Sequence, residues 1–219
     1  MAAVAGLKQS IDAVSVAPHS VRFQLARNTV WSVAGSASSQ GSSLLAALLL
    51  GRMLGVVPFG KVALVQATVI LLANLGEMGF ALTTTKFVSR WRTVDPERAG
   101  RLIGWTLRST AVSALSVVLL LVVVGPHLGI SALTGLSTEL RAACGVLIFD
   151  MLNRIQLAAL SGLEAFESTA RVQVSRGVLM LPTVWLGISS GGLLGAILAM
   201  SFVSLATCAV GHWILKRRC

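Results

Sequence analysis

Charge is scarce in this sequence. Only 12% of its 219 residues are Asp, Glu, Lys or Arg, against roughly 25% in a soluble globular domain. Such a chain has too little polar surface to coat itself in water. Motifs that carry chemistry are missing as well. The three cysteines, Cys144, Cys208 and Cys219, have neither CxxC nor metal-ligand spacing, so they read as packing residues and a terminal residue. His19, His127 and His212 are scattered through a tail, a loop and a helix end with no HExxH, and no metal site is implied. GxxxxGK[ST] is absent, which excludes a P-loop nucleotide site. A Gly-x-Ser-x-Gly elbow needs a strand–turn–helix that an all-helical membrane chain does not provide. The chain is therefore read as a non-enzyme without a cofactor. No cleavable signal peptide is apparent, since the first 27 residues carry Lys8, Asp12, His19, Arg22 and Arg27 without a long apolar stretch.

What is present is grease. Hydrophobic residues make up 55% of the chain and the mean hydropathy is +0.82. Several runs reach the ~20 apolar residues that cross a ~30 Å hydrocarbon core. Backbone groups in lipid must be paired within a helix or a closed barrel. The runs are continuous rather than alternating with period two, so the expected fold is an all-α polytopic membrane protein with six transmembrane helices. The spans are placed at about Val30–Leu50, interrupted by the polar cluster "GSASSQGSS" at 35–43, then Val62–Thr85, Ile103–Val124, Ala142–Leu160, Val172–Ile188 and Leu193–Leu215. In domain terms, a cytoplasmic segment 1–28 precedes a six-helix bundle over 29–215, and a short tail covers 216–219.

The net charge of +10 has a topological reading rather than a nucleic-acid one, because Lys and Arg cluster between the runs. One side collects Lys8, Arg22, Arg27, Lys86, Arg90, Arg92, Arg98, Arg101, Arg171, Lys216, Arg217 and Arg218; the other holds Arg52, Lys61 and Arg141. With six spans this asymmetry places both termini in the cytoplasm. In "RTVDPERAG", Asp95 is the expected N-cap of a helix with Pro96 at its first position. "GPHLGISALTGLSTEL" at 125–140 is the longest external connection, and "GISSGG" at 187–192 reads as a tight bend. "GRMLG" and "GGLLG" each hold a Gly-xxx-Gly spacing that permits close helix approach, but at span ends.

Five ionisable residues fall in or near the membrane: Glu77, Arg108, Asp150, Arg154 and Arg176. A charge at a helix centre costs roughly 2.5–3.5 kcal/mol, so such residues face a bundle interior or a wet cavity. Asp150 and Arg154 are spaced i, i+4 and share a helix face, either as a self-neutralising pair or as part of a site. Arg108 and Arg176 either snorkel to the headgroups or line a cavity for an anionic ligand. The five sum to one surplus positive charge, which suits a phosphate better than a metal ion. Glu77, about 23 Å into the second span and flanked by Gly76 and Gly79, is expected to pair with an arginine of another span or to hold a coupling proton. In the small polar cluster, Gln40 is the residue least suited to face lipid, and the cluster reads as a packed inner face or one that meets water or sugar.

Two stretches carry a resemblance. "LLGRMLGVVPFGKVALVQATVILLANLGEMGFALTTTKFVSR" (49–90) and "GLEAFESTARVQVSRG" (162–177) resemble the first hairpin and the link between spans four and five in the polysaccharide exporter family. These are the Wzx-type flippases of lipid-linked oligosaccharides such as O-antigen and lipopolysaccharide precursors. They belong to the multidrug/oligosaccharidyl-lipid/polysaccharide superfamily. The resemblance implies a bacterial inner-membrane transporter working by alternating access around a cationic cavity. Its implied substrate is an undecaprenyl-diphosphate-linked oligosaccharide, with Arg108, Arg154, Arg176 and Gln40 as cavity candidates. Six spans match one N-terminal bundle of such a transporter. The expectation is therefore a half that needs a second half-transporter chain or a second copy of itself. Alternatives are a truncated inactive fragment, a non-transporting assembly subunit, or half of a cation-coupled multidrug exporter using Glu77 or Asp150.

Overall fold

The computed structural model describes residues 19–124 and 137–218, with side chains over 29–123 and 138–217. Lys8, Asp12, His127, Cys219, the N-terminal segment up to residue 18 and most of the expected external loop lie outside the described residues. Among the described residues six helices follow one another: α1 (His19–Leu54), α2 (Val56–Glu77), α3 (Phe80–Trp91), α4 (Pro96–Val124), α5 (Ser137–Gly162) and α6 (Phe166–Arg218). Among the described residues there is no strand, and five of the helices are long and apolar enough to cross a membrane. The chain is an all-α polytopic membrane protein.

Helix boundaries follow local chemistry. Asp95 accepts a hydrogen bond from the Arg98 amide at 3.1 Å, capping α4 with Pro96 as its first residue, as the sequence indicates. The 53-residue α6 is two spanning arms, since Gly192 adopts φ 56°, ψ −127° and turns the helix back on itself. The bend expected at 187–192 is therefore real. A Cβ on Gly195 would lie 2.0 Å from the Gly187 carbonyl oxygen, and one on Gly187 would lie 2.4 Å from the Gly195 oxygen. The two glycines let the arms touch backbone to backbone.

Two expectations change. The polar cluster at 35–43 does not interrupt the first span; α1 runs through it unbroken, because the serines bond to carbonyls one turn back, as Ser42 does to Ser38 at 2.7 Å. The second span, placed at about Val62–Thr85, is broken after Glu77. Met78 and Gly79 both take left-handed φ values of 43° and 80°, ending α2 and starting α3 on a new axis. Two successive left-handed residues cannot continue a right-handed helix.

Packing is organised around α5, which touches α2, α3, α4 and α6. Half of its spanning window is buried, against under a quarter for α2 or α4. That fits its lower mean hydropathy, 1.4 against 1.9 for α2 and 2.0 for α4: it is solvated by protein rather than lipid. Leu147, Met151 and Ile155 are fully buried along it. One core joins Val65 and Val69 of α2 to Leu147 and Met151; another joins Val88 of α3 to Leu160 and Leu215. The outward faces of α2 and α4 expose Leu64, Leu71, Leu75, Leu115 and Leu119, a surface suited to hydrocarbon.

The "GLEAF" turn is held at one end of the bundle. A Cβ on Gly162 would meet Val88 at 2.9 Å, and Glu164, at φ 53°, pairs with Arg92 at 2.5 Å. This ties the α5–α6 turn to the α3–α4 turn.

Candidate functional site

Four of the five sequence-predicted charges converge from three helices. Arg154 of α5 pairs with Asp150 one turn earlier (Nε–Oδ2, 3.1 Å) and with Glu77 at the end of α2 (Nη1–Oε2, 3.6 Å). Arg176 of α6 pairs with the other Asp150 oxygen at 3.1 Å. Arg154 also donates to Asn74 Oδ1 at 2.9 Å. The result is a chain, Glu77–Arg154–Asp150–Arg176, that staples α2, α5 and α6 inside the apolar bundle. Glu77 takes the arginine of another span, one of its two expected roles. Its Oε1 is buried without a hydrogen-bond partner.

Local structure explains why the acid sits there. Glu77 is the last residue of α2, where the helix dipole disfavours a negative charge, and Arg154 offsets that charge. The neighbouring orphan carbonyl of Gly76 accepts from Ser113 Oγ at 2.7 Å. Gly76 lies close against α5, since a Cβ there would stand 2.7 Å from the Met151 Cε and would push that flexible tip aside. The close approach of α2 to α5 allowed by this glycine brings Glu77 within reach of Arg154.

Arg108 is not part of the group. It lies on the exposed face of α4 with no ion pair among the described residues. The assembled cluster is thus balanced, two carboxylates against two arginines, rather than carrying the surplus positive charge of the five residues summed along the chain. Gln40 is exposed on α1 and stands at a cavity wall with Arg176.

Two cavities adjoin the cluster, and Arg176 borders both. The larger, about 320 Å³, is lined mainly by apolar side chains of α1, α2 and α6, among them Leu50, Phe59, Val65, Val69 and Met180, with Asp150 and Arg176 at its polar margin. The smaller, about 170 Å³, is more polar: Ser36, Ser39, Gln40, Asn153 and Gln173 line it with Arg176, beside Leu157 and Val172. Asn153 is 1% exposed, and neither its Oδ1 nor Gln173 Oε1 has a hydrogen-bond partner. Buried carboxamide oxygens without partners are costly, and the two residues that carry them are among those lining this cavity.

The polar stripe of α1 divides by face. Ser38 and Ser42 abut Gly177 of α6, where a Cβ would lie 2.9 Å from the Ser38 hydroxyl, and Gly35 abuts Ala170. That face is for packing. Ser36, Ser39, Gln40 and Ser43, at i, i+3, i+4 and i+7, line the cavities instead. The packing reading holds on one side of the helix, and on the other the polar residues border cavities.

Sequence reasoning missed Asn74, Asn153 and Gln173 because, Gln40 apart, it weighed charge. The available signal was a set of uncharged amides in apolar spans, where a polar group without a partner is almost as unwelcome as an ion. A family model described as "Polysaccharide biosynthesis protein" matches residues 25–219. No curated protein and no solved structure gives a significant match.

Proposed function

The chain belongs to the polysaccharide biosynthesis protein family, a multi-pass membrane component of polysaccharide biosynthesis or export, and from that premise we propose that it binds and helps translocate a lipid-linked saccharide. One observation carries this reading. Arg176 stands between an apolar chamber and a polar one. A lipid-linked oligosaccharide has the same order of parts: an isoprenoid tail, an anionic diphosphate and a hydroxyl-rich head. The tail matches the Leu50–Phe59–Val65 chamber, and the diphosphate matches the guanidinium of Arg176. The sugar matches the serines and the unpartnered amides of Asn153 and Gln173.

Asp150 holds Arg176, so a diphosphate competes with a carboxylate for it. This exchange keeps the arginine paired in both states and avoids a lone charge in the membrane. Movement across the membrane by alternating access calls for a second six-helix unit. We assign that role to another chain or a second copy, and place the whole in a bacterial inner membrane with the basic turns cytoplasmic. Proton or cation coupling has one observation behind it, the unpartnered Oε1 of Glu77.

The test is binding of a polyprenyl-diphosphate disaccharide by the purified chain in detergent, followed by native mass spectrometry. Arg176→Gln should weaken binding about tenfold or more, the worth of a charge-assisted contact. Unchanged binding would remove Arg176 from the site.

A further inference from the structure

Arg108 lies outside the ion-pair chain, and its surroundings define a different surface. On α4 the exposed positions Arg101, Trp105, Arg108, Val112, Leu115 and Leu119 recur every three or four residues, so they form one stripe along the helix. Trp105 is 71% exposed. On the adjoining α3, Lys86 and Arg90 share an exposed face at i, i+4. Arg101 is engaged by Glu97 at 2.6 Å, but Lys86, Arg90 and Arg108 have no acidic partner among the described residues. Helix rise places Trp105 and Arg108 about 14 and 18 Å above Pro96. Side chains on a helix sweep back toward its N-terminus, so the Arg108 guanidinium descends toward Trp105 and the basic turn. An indole next to snorkelling cations, with bare Val112, Leu115 and Leu119 continuing inward, matches the section of a phospholipid from headgroup to acyl chain.

We propose that this α3–α4 face is a binding site for an anionic phospholipid in the leaflet on the side of the 92–95 turn. Charge complementarity selects the ligand. Three unpaired cations attract a lipid of net negative charge by about fivefold each, whereas a zwitterionic lipid brings its own ammonium and gains little. The site is separate from the Arg176 cavities and does not depend on the transport reading.

Brominated lipids test it. The full chain is placed in phosphatidylcholine vesicles containing phosphatidylglycerol, with bromine on the acyl chains of one lipid or the other. The signal of Trp105 is isolated as the difference between the protein and its Trp105→Phe variant. The expected result is a preference for phosphatidylglycerol on the order of a hundredfold, falling about fivefold in Arg108→Gln and close to none in the Lys86→Gln/Arg90→Gln/Arg108→Gln variant, while Lys61→Gln retains it. Equal quenching by the two lipids would overturn the site without any variant being needed. So would quenching by neither, which would mean that protein covers the face. An equal loss in Lys61→Gln would reduce the effect to general surface charge and overturn it too.

Discussion

Replacing Arg154 with Met removes the central link of the ion-pair chain and keeps most of the buried stem. Its guanidinium stands 3.6 Å from Glu77 and 3.1 Å from Asp150 and donates to Asn74. At 3.6 Å the Glu77 attraction is about 1.2 kcal/mol in water and about 4.6 kcal/mol at an effective dielectric of 20. The Arg154 side chain is 32% exposed and that of Glu77 13%, so a value in the lower half of that range applies. Asp150 retains Arg176, but Glu77 is left as a lone carboxylate at a helix C-terminus. Together these give an expected loss of about 2–3 kcal/mol for Arg154→Met. Glu77→Gln strands no charge, because Arg154 still has Asp150, and should cost about 1 kcal/mol. In Arg154→Met/Glu77→Gln the stranded acid is gone, so the double variant should be more stable than Arg154→Met alone. Reversible unfolding in mixed dodecylmaltoside and SDS micelles, followed by far-ultraviolet circular dichroism, measures all three. Arg154→Met within about 0.5 kcal/mol of the parent would refute the reasoning. A double variant weaker than Arg154→Met would do the same.

Other outcomes follow from the same geometry. Asp150→Asn should release Arg176, lowering stability by about 1–2 kcal/mol while tightening polyprenyl-diphosphate binding several-fold; weaker binding would show that Asp150 does not compete with the ligand. Asn153→Leu should leave stability unchanged or raise it by about 1 kcal/mol, since it removes a buried oxygen without a partner, yet reduce discrimination between glycosylated and bare polyprenyl diphosphate in competition binding. Gly195→Val places a Cβ 2.0 Å from the Gly187 oxygen and should cost about 3 kcal/mol or more in the micelle assay by forcing the arms of α6 apart.

Much of the fold was legible along the chain because its causes are local. Asp95-Pro96 starts α4 through a cap and a fixed φ. The glycine-rich "GISSGG" bends α6 where a left-handed residue is tolerated. The break in α2 was only half visible. Gly76 and Gly79 marked a place where the helix could bend, but Met78, which shares the left-handed turn, has no backbone preference that announces it. The unbroken course of α1 through its serines was hidden for a related reason. Hydropathy registers a hydroxyl as polar, whereas a helix pairs it with the carbonyl one turn back.

The site divides in the same way. Composition and the continuity of the apolar runs determined that this is a bundle of apolar helices, since a chain with so few charges cannot be solvated by water and runs without period-two alternation pair their backbone inside each segment. Composition also marked Glu77, Arg108, Asp150, Arg154 and Arg176 as residues in need of an explanation. Only the tertiary structure decided that four of them form one neutral chain between two cavities and that Arg108 faces outward. Apart from Asp150 and Arg154, these partners lie on different helices. Which of them meet depends on the rotation of each helix about its axis and on close approaches such as Gly76 against Met151. Those are set by the packing of the whole bundle rather than by any short stretch of sequence.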